Sequence, residues 1–332
     1  MTLPAKLCPL PLTVLLVLAW TGSWVQAGDL WQRLGAVGEQ ARKYDHTMRS
    51  ADLLAVRAAE LYNQQDRRTA QINALKAADL YELAIRLDPR SAEPHLRAAE
   101  VLNAHFIERN TANPPPRPTK RAIAHWDKFI ELAPDDPRIA AESGRPEMGI
   151  LFRRSLAYTK LGGQDGFRHA IADYERLLAL TDTSSVEPGE VALIMTHAAA
   201  TCMGLGQLDR ALELYSQALE HEPQSTYAFG LAVALDRNGQ ATRARQIMAG
   251  YKFSHDALFP RNQQTGQVTT FYVPYGDEFW YLGLGSEAAG KLESARNFYK
   301  QYLRFQPDSP YAELAKRHIQ RLEAKLGRRS SG

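Results

Sequence analysis

An all-α solenoid of helix-turn-helix repeats is the fold this sequence predicts, and three observations predict it. The segment Met195 to Pro223 reads as two amphipathic stretches divided by Gly206 and closed by Pro223. Its order of small and large residues recurs at Phe279 to Pro307 and, in partial form, across residues 65–308. Helix-start residues stand before several copies: Ser91, Asp136, Ser225 and Ser309, with Pro137 and Pro310 following two of them.

Composition agrees with a folded chain that needs no staples. The protein has 332 residues, 45% hydrophobic and 23% charged, which is ample to bury a core. Forty basic residues against 37 acidic ones give a net charge of +3, which weighs against nucleic acid as a partner. Two cysteines cannot make a disulfide framework.

In chain order, residues 1–27 read as a signal peptide. Lys6 supplies the positive start, Leu12 to Trp20 the apolar core, and Val25-Gln26-Ala27 the small-residue cleavage pattern. The apolar core is well short of the ~20 residues that span a bilayer, so no integral span is expected after cleavage. Cleavage after Ala27 removes Lys6 and Cys8, leaving a charge of +2 and Cys202 as the remaining thiol. The expected location is therefore outside the cytoplasm, in the periplasm or beyond, with a bacterial envelope favoured by the absence of disulfides.

Residues 28–64 look helical but match the repeat poorly, and are expected to form an N-terminal helical cap. The repeat array follows over 65–308. Two excess stretches interrupt its spacing. Pro89 to Pro134 is 45 residues, and the surplus falls in the Pro-rich loop 110–120, which should be extended or turning. A polyproline ligand at Pro114 to Pro118 is the functional alternative to a stiff loop there. Pro223 to Pro307 is 84 residues, and the surplus falls in 252–277, where Val268 to Val273 has strand-like composition. A short β-hairpin or ordered loop is expected. Residues 309–327 should form a C-terminal capping helix, with Tyr311, Leu314, Ile319 and Leu322 inward and Lys316, Arg317, Arg321 and Lys325 outward. The tail 328–332 should be disordered.

The unit that carries Met195, Ala198, Ala199, Cys202, Gly206, Ala211, Tyr215, Ala218 and Pro223 resembles the tetratricopeptide repeat (TPR) family, as does Phe279, Leu282, Gly283, Ser286, Gly290, Ala295, Tyr299, Tyr302 and Pro307. Ser286 and Tyr302 depart from the family pattern. Weaker copies run through Ala77, Tyr81 and Ala84; Ala122, Trp126 and Phe129; Leu151, Ser155, Tyr158, Gly162, Ala170 and Tyr174; and Ala228 to Met248. The resemblance implies a concave groove lined by the first helix of each pair. On that basis the groove residues are Phe152, Leu156, Thr196, Met203, Phe229, Val233, Trp280 and Leu284. Phe152, Met203, Phe229 and Trp280 would be the anchors. The carboxylate-holding Lys, Asn and Arg of chaperone-tail binders are missing from these positions, so an apolar peptide or helix is the implied ligand. The alternative is that the chain fills this groove itself, with the 252–277 insertion or the N-terminal helices.

Chemistry beyond binding finds little support. Nine histidines form no His-x-x-x-His pair or zinc helix, so no metal is expected. There is no phosphate loop after a strand and no nucleophile elbow, so neither cofactor nor catalysis is expected. Cys202 falls at a position that packs, and reads as a core thiol. The remote enzyme alternative would need His255, Tyr272 and Asp277 in the 252–277 insertion to converge. The sequence thus predicts an exported, non-catalytic protein-interaction scaffold with a protein or peptide partner. A structural part in an envelope complex, played through its outer faces, is the second reading.

Overall fold

The computed structural model describes residues 24–108, 114–141, 144–182, 185–258 and 273–330. The signal segment lies, up to residue 23, outside the described residues. What is described is helical throughout, with no strand.

The helices pair as hairpins. The first pair is α1 (Trp24–Asn63) with α2 (Arg67–Leu87), followed by α3 (Glu93–Leu102) with α4 (Pro116–Leu132) and α5 (Ile150–Leu161) with α6 (Gly163–Leu180). Then come α7 (Pro188–Gly204) with α8 (Leu208–His221) and α9 (Ser225–Arg237) with α10 (Ala241–Gly250). A short turn α11 (His255–Leu258) precedes the last pair, α12 (Glu278–Ala288) with α13 (Leu292–Phe305), and α14 (Ala312–Ser330) ends the chain.

One large residue recurs on the second helix of each pair: Tyr81, Trp126, Tyr174, Tyr215, Met248 and Tyr299, all buried. Each removes a bulky apolar surface from water, worth about 2–3 kcal/mol. Small residues make room for them. A Cβ built on Gly230 of α9 would stand 2.3 Å from the Tyr215 ring, and one on Gly283 would stand 3.0 Å from Tyr299. Alanines 70, 74, 77, 78 and 84 do the same for α2, which they bury along one face. Four pairs turn on a glycine held at positive φ, namely Gly162 (φ +76), Gly206 (φ +74), Gly239 (φ +80) and Gly290 (φ +72). Only glycine adopts that conformation without strain, which is why it punctuates the repeat. The buried clusters of successive pairs merge into one continuous seam from Ala51 to Leu322. The two-domain prior that 332 residues would carry does not apply.

The structure corrects several expectations. Residues 116–120 of the Pro-rich stretch are the first turn of α4, not extended chain. A helix's first N–H groups have no internal partner, so Pro116 and Pro118 cost nothing there. Residues 109–113 lie outside the described residues. Ser91 does not cap α3; its hydroxyl meets that of Tyr44 at 2.8 Å. Asp136 does cap a turn, accepting from the Arg138 N–H at 2.9 Å. Within the 252–277 insertion the described residues contain α11 and the turn before α12. The strand-like run lies, save for Val273, outside them. The terminal helix continues to Ser330, so residues 328–330 are helical and not disordered. Arg321, expected outward, points inward to Glu287 at 2.7 Å.

Candidate partner-binding groove

The eight residues expected to line the groove lie on α5, α7, α9 and α12, the first helices of four consecutive pairs. Seven of the eight are buried, and Leu156 on α5 is half-buried. Phe152 packs edge-on against Tyr174 and His197, with ring centroids 5.9 and 5.1 Å away. Thr196 turns its hydroxyl to the Leu193 carbonyl at 2.8 Å. Met203, Phe229, Val233, Trp280 and Leu284 are fully enclosed.

Three of them, Met203, Phe229 and Trp280, meet later segments of the chain. Phe253 packs edge-on against Phe229 at 4.8 Å and occupies the space a side chain at Gly285 would need, 2.0 Å from its ideal Cβ. The Tyr311 hydroxyl donates to the Met203 carbonyl at 2.7 Å. The Tyr311 ring lies 6.1 Å from that of Trp280. Phe253 belongs to the 252–277 insertion, which was one expected occupant. The other, the N-terminal helices, is replaced by the segment from Tyr311 into α14.

Under this segment lies a polar floor that the apolar groove rule did not anticipate. Arg237 of α9 is enclosed, with two guanidinium nitrogens each 3.0 Å from an Asp277 oxygen. Its charge sits 4.9 Å from the Trp280 ring centroid and 4.2 Å from that of Tyr311. Such stacking suits a desolvated guanidinium. The Trp280 indole N–H donates to Asp236 at 3.0 Å. His318 of α14 stands between two carboxylates, Nε2 3.1 Å from Asp236 and Nδ1 3.0 Å from Glu287. Burial pushes the His318 pKa down, but the two carboxylates outweigh it and the net direction is up. Burial likewise opposes ionisation of Glu287, yet His318 and Arg321 hold its carboxyl below the ordinary value. Asp236, Arg237, Glu287 and His318 are the site residues absent from the predicted set; Tyr311 was expected to face inward and Asp277 entered only as part of the remote enzyme centre. Asp236, Asp277 and Glu287 did fall at groove positions of the repeat, which was the available signal.

The N-terminal half carries a second titratable group of side chains. His95 of α3 and His125 of α4 meet through their Nδ1 atoms at 3.2 Å, and His125 Nε2 lies 3.3 Å from Glu82 of α2. Burial, then the neighbouring His125, lowers the His95 pKa to about 4. Lys160 of α5 donates to the Ile107 carbonyl at 2.7 Å, where α3 runs on as a π-helical turn, and burial lowers its pKa to about 8. No described group of three or more His, Cys, Asp or Glu could hold a metal ion. The remote enzyme centre does not gain support. Asp277 is engaged by Arg237, His255 is exposed beside Asp256 at 3.7 Å, and Tyr272 lies outside the described residues. No described helix is long and apolar enough to cross a membrane.

A series of helix hairpins packed in sequence order defines an α-solenoid. Residues 203–256, spanning the end of α7 to α11, match the profile of the family described as Tetratricopeptide repeat. No curated protein matches the sequence. Among solved structures, that of PilW, a widely conserved type IV pilus biogenesis factor, is similar at 17% identity and TM-score 0.43, covering 80% of this chain and 97% of that one. The MamA protein is similar at 16% identity and TM-score 0.42, covering 60% and 89%. YrrB, described as a TPR protein with an unusual peptide-binding site, is similar at 19% identity and TM-score 0.37, covering 72% and 99%.

Proposed function

We propose that this protein is an exported, non-catalytic scaffold that binds a partner helix in the cleft formed by α7, α9 and α12. The observation that carries this reading is that the cleft already holds chain of that kind. Tyr311, at the entry to α14, bonds to Met203 of α7, and His318 of α14 lies against Asp236 of α9 and Glu287 of α12. Phe229, Val233, Trp280 and Leu284 are the apolar floor under these contacts, and Phe152, Leu156 and Thr196 continue the same helix faces toward the N-terminus. Export rests on the 1–27 segment, and places the partner in the cell envelope.

Affinity capture of the tagged mature chain from its native envelope, with mass spectrometry, tests the scaffold reading. A defined partner enriched over a mock capture, and lost from the Trp280→Ala variant with helical circular dichroism retained, is the expected result. Equal capture by that variant would move the binding site off the cleft.

A second reading has its own observation. Leu53 and Val56 on the outer face of α1 are 71% and 58% exposed, one turn apart. That supports contact through an outer face, as in a structural part of an envelope assembly. Crosslinks from α1, and not from the cleft, would favour it.

A further inference from the structure

The floor beneath α14 is more polar than an end-cap requires. An end-cap needs an apolar inner face and a wet outer one, and α14 has these in Ala315, Ile319 and Leu322. It adds buried charge. His318 lies within 3.1 Å of two carboxylates on different helices, Asp236 and Glu287. Arg321 reaches both Glu287 oxygens, at 2.8 and 2.7 Å. Buried ion pairs add little net stability, because desolvation offsets the attraction, but they select what is accepted.

Without α14 the floor holds three carboxylates, Asp236, Asp277 and Glu287, against two guanidinium groups, Arg237 and Arg245, the latter 3.8 Å from Glu287. One negative charge is left over, and the cations of α14 answer it. An emptied cleft would let these groups regain water, so opening it costs less than opening a wholly apolar seam. Spacing completes the requirement. Tyr311, the residue before α14, and His318 are seven residues apart, a spacing of two helical turns, and Arg321 follows one turn later.

We propose that the cleft reads a helix presenting an aromatic hydroxyl and, two turns on, a cation, and that α14 is the resident copy of that signal which the partner's helix displaces. The proposal rests on the cleft-binding function above and names its partner chemistry. The phenol is read by the Met203 carbonyl and the Arg237–Trp280 face, and the cation by Asp236 and Glu287.

The test uses the full chain and a fluorescein-labelled peptide of residues 309–327 as the probe, followed by anisotropy. The His318→Ala/Arg321→Ala chain, whose own α14 is loosened, should bind the probe about tenfold more tightly than the unmodified chain, because more of its clefts are open. Probes carrying Tyr311→Ala or His318→Ala should lose binding, as should the loosened chain with Glu287→Gln. Equal binding by both chains, or equal binding of the substituted probes, overturns the proposal. The milder His318→Gln chain repeats the test if the double variant loses helix content. A loosened chain that sediments as a dimer assigns the cleft to a second copy's α14 and overturns displacement by a partner. Probe binding with no envelope partner captured would fail the scaffold reading alone, and capture without probe selectivity would fail this inference alone.

Discussion

The Tyr311 hydroxyl donates a 2.7 Å hydrogen bond to the carbonyl of Met203, 108 residues earlier in the chain. That bond ties the entry of the last helix to the end of α7 and draws the intervening pairs into one closed unit. It also puts a phenol where the repeat pattern implies ligand contacts. Tyr311→Phe should lower stability by about 1 kcal/mol, since the Met203 carbonyl keeps its bond from the Gly206 N–H at 3.0 Å. Tyr311→Ala, which also empties the space beside Trp280, should cost about 3–5 kcal/mol. Urea unfolding midpoints of the two variants check this, and equal losses would contradict it.

The two histidine clusters should give opposite pH responses. His318 faces Asp236 of α9, Glu287 of α12, the Tyr299 ring of α13 at 4.6 Å and its neighbour Arg321. Its folded pKa lies above the ordinary 6.5, so its stabilisation is complete below 6.5 and is lost as pH rises through the folded value. The stability gap between the native chain and His318→Gln should narrow from pH 6 to pH 9.

His95 works the other way. With a folded pKa of about 4, the native state refuses a proton that the unfolded chain takes up below 6.5, so stability falls as pH drops from 6.5 toward 4. His95→Gln should flatten that acid limb in thermal melts at pH 7, 6 and 5. An unchanged limb would remove His95 as its source.

Two glycines should respond differently to alanine. Gly230→Ala would drive a methyl to 2.3 Å from the Tyr215 ring, and overpacking of this kind costs about 1–3 kcal/mol. Gly206→Ala meets nothing within 4 Å and bears only the backbone penalty of its φ of +74, about 1–2 kcal/mol. Packing variants elsewhere in the unit should add to the second change and couple to the first, which double-mutant cycles would read.

Cys202 should be unreactive in the folded protein. It is buried, and burial raises its thiol to about 12. Ellman's reagent at pH 8 should find no thiol in the native mature chain and one in urea. If the signal segment is cleaved at the expected bond, the intact mass will correspond to a chain starting at Gly28 and lacking Cys8.

The fold was legible because its signals are local. Tyr215 and Gly206 each occupy a place where one residue size or one backbone angle is demanded, and the turn demand recurs at Gly162, Gly239 and Gly290. The occupant of the groove was not legible. Asp236 and His318 are 82 positions apart in sequence, and no local pattern says that a terminal helix with charges on every side will turn its imidazole inward. Arg321 shows why: by composition it belongs on a wet face, and only Glu287 across the cleft makes its inward position favourable. The Pro116–Pro118 pair was misread for the opposite reason. Proline breaks helix interiors but suits a first turn, and a run of prolines does not tell which applies.

Hydrogen exchange of α14 in the presence of the 309–327 peptide tests the cleft most directly. With the peptide in saturating excess, α14 amides should lose protection while α7, α9 and α12 keep theirs. Protection of α14 that is unchanged by the peptide, or lost only together with α12 and α13, would show that α14 is a fixed part of the core and that the cleft is not a binding site.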